Sequence, residues 1–434
     1  MHGLLLPVFL TALLPGMFTH AQADARFDAQ AGALPDESTR RVRVFLVTLS
    51  PGSAIWERFG HNALVIEDPS EVGRRQRVAF NWGTFDFDQP NFIGRFIMGR
   101  MIYSLSAVNA DDMIRNYIAD DREVLVQELA LTARQARQLR DHCWHHLLPE
   151  NRDYRYHYYR DNCSTRVRDA LDDALDGELS RQLKPLQTGH SYRWHTRRLT
   201  ADAWHWNIAL NFIMGSPIDA PLSAWDEAFV PERLAVHLRN VRLADEFGHT
   251  SSLVRSEQVL HSTTRPPTPT APPNRTLVHL LLGLGIACVL VMLGRVAPSH
   301  ASARWTLAAL LTAWSLLLGA GGIIGVYGWL FTDHDVARYN LNLLAGSPLQ
   351  LALVLLAPLM LLRRRAIKTT TRMALLLAVM ALLSGPIGWV VGSIQQHGEV
   401  LALLLPVQLA SATALWLASS KTETTKTPEK GAKR

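Results

Sequence analysis

Beyond residue 265 the chain is dominated by five apolar stretches, at about 276–296, 305–331, 343–362, 373–394 and 398–418, each long enough to cross a bilayer as a helix. The segments between them alternate in charge. Arg295 and Arg304 come first, then Asp333 and Asp335, then Arg363, Arg364, Arg365, Lys368 and Arg372. Next comes the stretch Gln395 to Glu399, and last a tail with Lys421, Lys426, Lys430, Lys433 and Arg434. Placing every basic segment in the cytoplasm puts residues 24–275 outside. The first residues require the same side: an apolar core from Leu4 to Leu14 followed by Ala21-Gln22-Ala23 predicts a signal peptide over 1–23 and a mature chain from Asp24. An uncleaved anchor would export the next domain equally well.

Ahead of this region the hydrophobic period changes from helical runs to alternation. Arg41 to Ser50 alternates, turns apolar and stops at Pro51-Gly52, which predicts a strand and a turn. His61 to Glu67 predicts a second strand and Arg77 to Gly83 a third, with a polar turn between them. If these two form a hairpin centred on residue 72, His61 falls opposite residue 83 or so, with Asn81 nearby. Thr132 to His146 has helical character, and an amphipathic run follows from Arg166 to Leu179. The division this predicts is an α+β exported domain over 24–262, a Pro/Thr-rich linker over 263–275, an all-α bundle over 276–420 and a basic cytoplasmic tail over 421–434.

A net charge of +6 raises the question of nucleic acid, but Arg and Lys are scattered among Asp and Glu without a basic, aromatic-interleaved stripe. Membrane topology accounts for the excess. Three cysteines are present. Cys288 lies in an apolar stretch and reads as a small hydrophobe, while Cys143 and Cys163, as an exported pair, are most simply read as a disulfide. His142, Cys143, His145 and His146 also suggest a metal, but these positions point around a helix rather than to one ligand face. Neither a metal nor another cofactor is expected.

The setting of Cys163 argues for a different role. It lies in Asp161-Asn162-Cys163-Ser164-Thr165, where Asn162 or Ser164 is a good cap, so the thiol falls at or beside a helix N-terminus. Unpaired amide dipoles there favour the thiolate. His61, after a glycine at the head of a strand, is the matching base, because a neutral imidazole can take the thiol proton and return it. Asn81 is the candidate that holds the ring in one tautomer. The competing reading makes His61 an interior histidine and Cys163 a buried or disulfide-bonded residue.

At these residues the sequence resembles a known family. Phe59-Gly60-His61-Asn62-Ala63-Leu64, Asn81-Trp-Gly-Thr-Phe-Asp-Phe87 with Pro90-Asn-Phe92, Tyr154 through Arg166, and the loop with Asp333-His334 and Asn340-Leu-Asn342 are similar to the Lnb-type lipoprotein N-acyltransferases. The order His then Cys also resembles the circularly permuted papain-like fold of lecithin:retinol acyltransferase-type enzymes. The resemblance implies a membrane-bound acyltransferase that moves a fatty acyl chain from a phospholipid, through a Cys163 thioester, to the amino group of a lipidated lipoprotein cysteine. Cys163, His61 and Asn81 are then the expected catalytic residues, and Asn162, Tyr103, His334, Asn340 and Asn342 the expected substrate-binding ones. Two alternatives stay open: a membrane-tethered thiol hydrolase acting on peptidoglycan amides or phospholipid esters, and a non-catalytic sensor or assembly protein.

Overall fold

The computed structural model describes residues 41–244 and 248–420. The expected signal peptide and basic tail lie outside the described residues. The exported part is built on a seven-stranded antiparallel sheet in the order β6-β4-β3-β2-β1-β5-β9. Its strands are β1 (Arg43–Leu49), β2 (His61–Glu67), β3 (Arg77–Thr84), β4 (Ile102–Asn109), β5 (Val124–Leu129), β6 (Asp153–Arg155) and β9 (Val254–His261), while β7 (Arg242–Ala244) and β8 (Thr250–Ser252) pair separately. Pairing runs from Leu64–Phe80 to Glu67–Arg77, so the β2–β3 hairpin is centred on residue 72 as its polar turn predicts.

Both faces of the sheet are covered, which explains why β1 reads as a nearly unbroken apolar run. The helices of this part are α1 (Phe92–Met98), α2 (Ala110–Ala119), α3 (Ala133–His146), α4 (Cys163–Ala174), α5 (Glu178–Leu183), α6 (Tyr192–Leu199), α7 (Trp204–Ile213), α8 (Ala224–Glu227) and α9 (Pro231–Leu238). On one face Val44, Leu46, Leu64, Phe80 and Trp82 form a core with Leu139 of α3, Leu171 of α4 and Leu234 of α9. On the other, Phe45, Val47, Ala63 and Ala79 pack with Met113 and Ile114 of α2. The amphipathic run expected to reach Leu179 is broken into α4 and α5, because Asp176 and Gly177 take positive φ angles of 52° and 81°. Glycine carries no steric cost there, and Asp is among the few other residues that tolerate it.

Among the described residues, five helices are long and apolar enough to cross a membrane. They are α10 (Thr276–Val296), α11 (Ala301–Phe331), a third span in which the one-turn α12 (Asn342–Ala345) leads into α13 (Leu351–Arg363), α14 (Ile367–Val390) and α15 (Gly398–Ser420). The fourth starts six residues before the expected stretch and takes Lys368 and Arg372 into its first turns, where long basic side chains can reach the interface.

The bundle is fastened to the exported part by its outer loops. Asp333 pairs with Arg100 at 2.8 Å and Arg155 at 2.7 Å, and Asp335 with His157 at 2.9 Å and Arg160 at 2.6 Å. Glu399, at the head of α15, pairs with Arg197 of α6 at 2.6 Å and accepts the Arg275 amide at 2.7 Å. Gln395 reaches the Asn340 side chain and the Met214 carbonyl. The Pro/Thr linker is itself held, with Arg198 donating to the Pro269 carbonyl and Arg197 to that of Pro273.

Candidate active site

Asn162 caps α4, as its sequence context predicts. Its side chain accepts from the amides of Ser164 and Thr165, both at 2.9 Å, while the Thr165 hydroxyl accepts from the Asn162 amide at 2.7 Å. This reciprocal box fixes the helix start and makes Cys163 the first helical residue. Its thiol is free and partly accessible, whereas Cys143 is a free thiol fully buried in the core beneath α3. The disulfide reading is therefore excluded in this structure.

His61 opens β2, and its Nε2 lies 3.0 Å from Asn81 Oδ1. The Asn81 amide nitrogen donates to the Ala79 carbonyl at 3.3 Å, which leaves its oxygen facing the ring. Nε2 then carries the proton and Nδ1 is the basic nitrogen. The imidazole also stacks on Tyr117 of α2, whose ring lies under the Arg122 guanidinium at 4.7 Å. Across the sheet end, the amide of Asn62, the residue after His61, points to the Cys163 sulfur together with the amides of Ser164 and of Cys163 itself. Asn62 further joins strand to helix by donating to the Ser164 hydroxyl at 2.9 Å.

Burial raises the Cys163 thiol above its ordinary range, and those three amides oppose the shift without reversing it. The thiolate expected from the helix start is thus not the resting form: desolvation outweighs the amide dipoles. Burial also lowers His61 to about 4, against the Asn81 hydrogen bond. The resting pair is a neutral thiol and a neutral imidazole, which leaves the base unprotonated throughout the physiological range.

Two neighbours were not singled out from the sequence. Gly83 sits at a bulge in β3 with φ of +89°, and a Cβ on it would lie 3.3 Å from Cys163 Cβ and 3.8 Å from the Tyr154 hydroxyl. Tyr154, in β6, is 9% exposed and its hydroxyl is buried without a hydrogen-bond partner among the described residues. Buried phenols almost always find one. Burial holds this group well above the ordinary tyrosine range, so it remains a donor. The signal for Gly83 was the Trp-Gly-Thr interruption of an otherwise apolar strand.

The expected substrate-binding residues fare differently. Tyr103 stacks on Tyr156 at 4.1 Å near the thiol and keeps a partly open ring. Asn162 is spent on the cap and on the carbonyls of Tyr158 and Phe229. Asn340 donates to the Phe212 and Ile213 carbonyls and Asn342 to those of Asn211 and Phe212, so both tie the end of α7 to the bundle. His334 is bonded to the Tyr158 hydroxyl and to the Phe96 carbonyl at 3.0 Å. These four polar side chains are joints of the structure. The polar groups of Asn162, Asn340 and His334 are spent on these joints, whereas Asn342 Oδ1 is buried without a hydrogen-bond partner among the described residues.

His142 and His146 stack at 4.2 Å on α3, with Cys143 turned inward, so these residues form no common ligand face. A different cluster, missed in the sequence, gathers His190, His195 and Glu227. Glu227 accepts from His190 at 2.5 Å, His195 at 2.9 Å, His237 at 2.8 Å and Arg233 at 2.8 Å. Burial alone would raise this carboxyl, yet the four donors hold it far below its usual range. It anchors α6, α8 and α9 to one another.

Residues 36–200 match the family model described as the Lnb N-terminal periplasmic domain, and residues 270–422 match the Lnb transmembrane domain. No curated protein and no solved structure matches the chain significantly. The two matches lie in the order and on the sides of the membrane that the charge pattern requires, and the protein is a multi-pass inner-membrane protein with a periplasmic N-terminal domain. With both of its parts matched, the chain belongs to the Lnb-type family.

Proposed function

We propose that this protein is a lipoprotein N-acyltransferase that moves a fatty acyl chain from a membrane phospholipid to the α-amino group of a lipidated N-terminal cysteine. The observation that carries the reading is the free thiol of half-buried Cys163 opening α4, with the amide of Asn62, the residue after His61, directed at its sulfur and His61 held by Asn81, in a domain fastened to a five-span bundle. The order of histidine strand and thiol helix is that of a permuted papain-like fold, to which we assign the periplasmic domain.

In the first step the Cys163 sulfur attacks the ester carbonyl while His61 Nδ1 takes the thiol proton. The negative oxygen of the tetrahedral intermediate is held by the Cys163 amide and the Tyr154 hydroxyl. Collapse returns the proton from His61 to the departing glycerol oxygen, giving lysophospholipid and an acyl thioester. In the second step the lipoprotein amine attacks the thioester, gives its proton to His61, and leaves an amide and the restored thiol. A site at the bilayer surface concentrates both lipids and limits water.

The test is the full chain in phospholipid vesicles with a lipidated peptide bearing a free N-terminal cysteine amine. N-acylated peptide should form together with an equal amount of lysophospholipid. Lysophospholipid without acylated peptide would make the protein a hydrolase, and neither product would end the catalytic reading. With His61 at about 4, the rate should fall only as pH drops through that value and the imidazole gains its proton. A limb near the ordinary histidine pKa of ~6.5 would remove His61 as the base.

Tyr154→Phe separates a catalytic hydroxyl from a structural one. Because the group has no partner among the described residues, its loss should leave the melting temperature unchanged or raise it. The same change should lower kcat by about 100-fold, the scale of losing one oxyanion donor. A kcat within a few-fold of the parent protein would exclude the role.

A further inference from the structure

Helix α1 carries an apolar face that the periplasmic domain does not cover. Ile93, Phe96 and Ile97 are 57%, 52% and 50% exposed, and their spacing of three and four places them on one side of the helix. The end of α1 is pinned to the bundle at a definite depth. Met98 Sδ receives the Tyr327 hydroxyl at 3.5 Å, and the Asp333 amide donates to the Met98 carbonyl at 2.9 Å. Tyr327 stands about one turn, or roughly 5–6 Å, before α11 ends at Phe331. The C-terminal end of α1 is therefore level with the last turn of a membrane span.

A continuous row of aromatic rings leads from this helix toward the thiol. Phe92 meets Phe87 at 5.1 Å and Phe85 at 6.1 Å, Phe85 meets Tyr103 at 5.0 Å, and Tyr103 stacks on Tyr156 at 4.1 Å. Tyr156 is close enough to Cys163 to feel a charge on its sulfur. Beside the helix is an open cleft of about 370 Å³ lined by Arg95 and Arg100. Arg100 is paired with Asp333, whereas Arg95 has no carboxylate partner among the described residues. An apolar face with a cationic edge, held at bilayer depth, fits one occupant: the outer leaflet of the membrane.

We propose that α1 lies in the outer leaflet, with Ile93, Phe96 and Ile97 among the acyl chains and Arg95 at the phosphate level. The aromatic row from Phe87 through Phe85 and Tyr103 is then the route by which one acyl chain reaches Cys163. The route rests on the proposed acyl transfer; the position of the helix does not.

The test uses p-benzoylphenylalanine placed singly at Phe87, Phe96 or Ile97 in the full chain, reconstituted in phosphatidylethanolamine and phosphatidylglycerol vesicles with a trace of acyl-chain-labelled phospholipid. Val72, an exposed apolar residue ahead of β3, serves as the control position. Irradiation should attach labelled lipid to the protein from positions 87, 96 and 97, with at least tenfold less from 72. The same result is expected in a Cys163→Ala background, so lipid contact is read even where no acyl transfer occurs. Labelling of 96 and 97 no stronger than that of 72 would overturn the membrane position. Labelling of 96 and 97 without 87 would overturn the acyl route.

Discussion

Cells that depend on this protein for lipoprotein maturation should make no N-acylated lipoprotein when Cys163 is replaced by alanine, while Cys143→Ala should retain the product. Mass spectrometry of a lipoprotein N-terminal peptide from complemented cells distinguishes the two. The contrast follows from where each sulfur sits. Cys143 is fully buried, and desolvation drives its thiol far above the ordinary range. Cys163 is partly accessible and has three amides directed at its sulfur, with His61 on the adjoining strand. On the proposed mechanism Cys163→Ala removes the nucleophile and with it the thioester. Equal loss in both variants would mean that the cysteines matter for folding and not for chemistry. Full product in Cys163→Ala would leave only a sensor or assembly role.

The second large effect concerns stability. Arg193 and Asp219 are fully buried side chains joined at 2.8 Å. The guanidinium also donates to the Asn211 side chain at 2.7 Å and to the carbonyls of Asn211, Met214 and Gly215 at 3.0, 2.9 and 2.8 Å. It closes the end of α7 onto α6, at the same carbonyls where the bundle docks through Asn342 and Gln395. Arg193→Met should cost about 3–5 kcal/mol, because it strips one partner from a buried ion pair and orphans several carbonyls. At about 2–4 °C per kcal/mol for a domain of this size, thermal unfolding of the purified full chain should begin on the order of 10 °C lower. Adding Asp219→Leu should recover part of the loss by removing the uncompensated acid. A single variant as stable as the parent would show that this joint carries little of the fold.

The elements that present the site were legible because each is written in a short local pattern. The Asn162 cap, the strand start at His61 and the hairpin about residue 72 all depend on neighbours in sequence. What the sequence pattern did not show depends on partners far along the chain. β9 pairs with β5 at the sheet edge, is exposed along most of its length and so carries no apolar alternation. The joints that Asn340, Asn342 and His334 make with distant elements were out of reach for the same reason. A polar side chain at the end of a span looks alike in sequence whether it faces a ligand or a carbonyl of another element. The resting state of Cys163 was also out of reach, since its burial depends on Gly83, Tyr154 and Asn62 closing around it.

The attachment of Asp333, His334 and Asp335 to residues 155–160 bears on how the protein is made. Cys163 is synthesised well before the second and third spans. Until the loop between those spans has crossed, Arg155, His157, Tyr158 and Arg160 lack the partners that hold the chain leading into the thiol. A nascent chain therefore carries the segment before Cys163 without these ties, and on the proposed reading competence arrives only with insertion of the later helices, when lipid is already at hand.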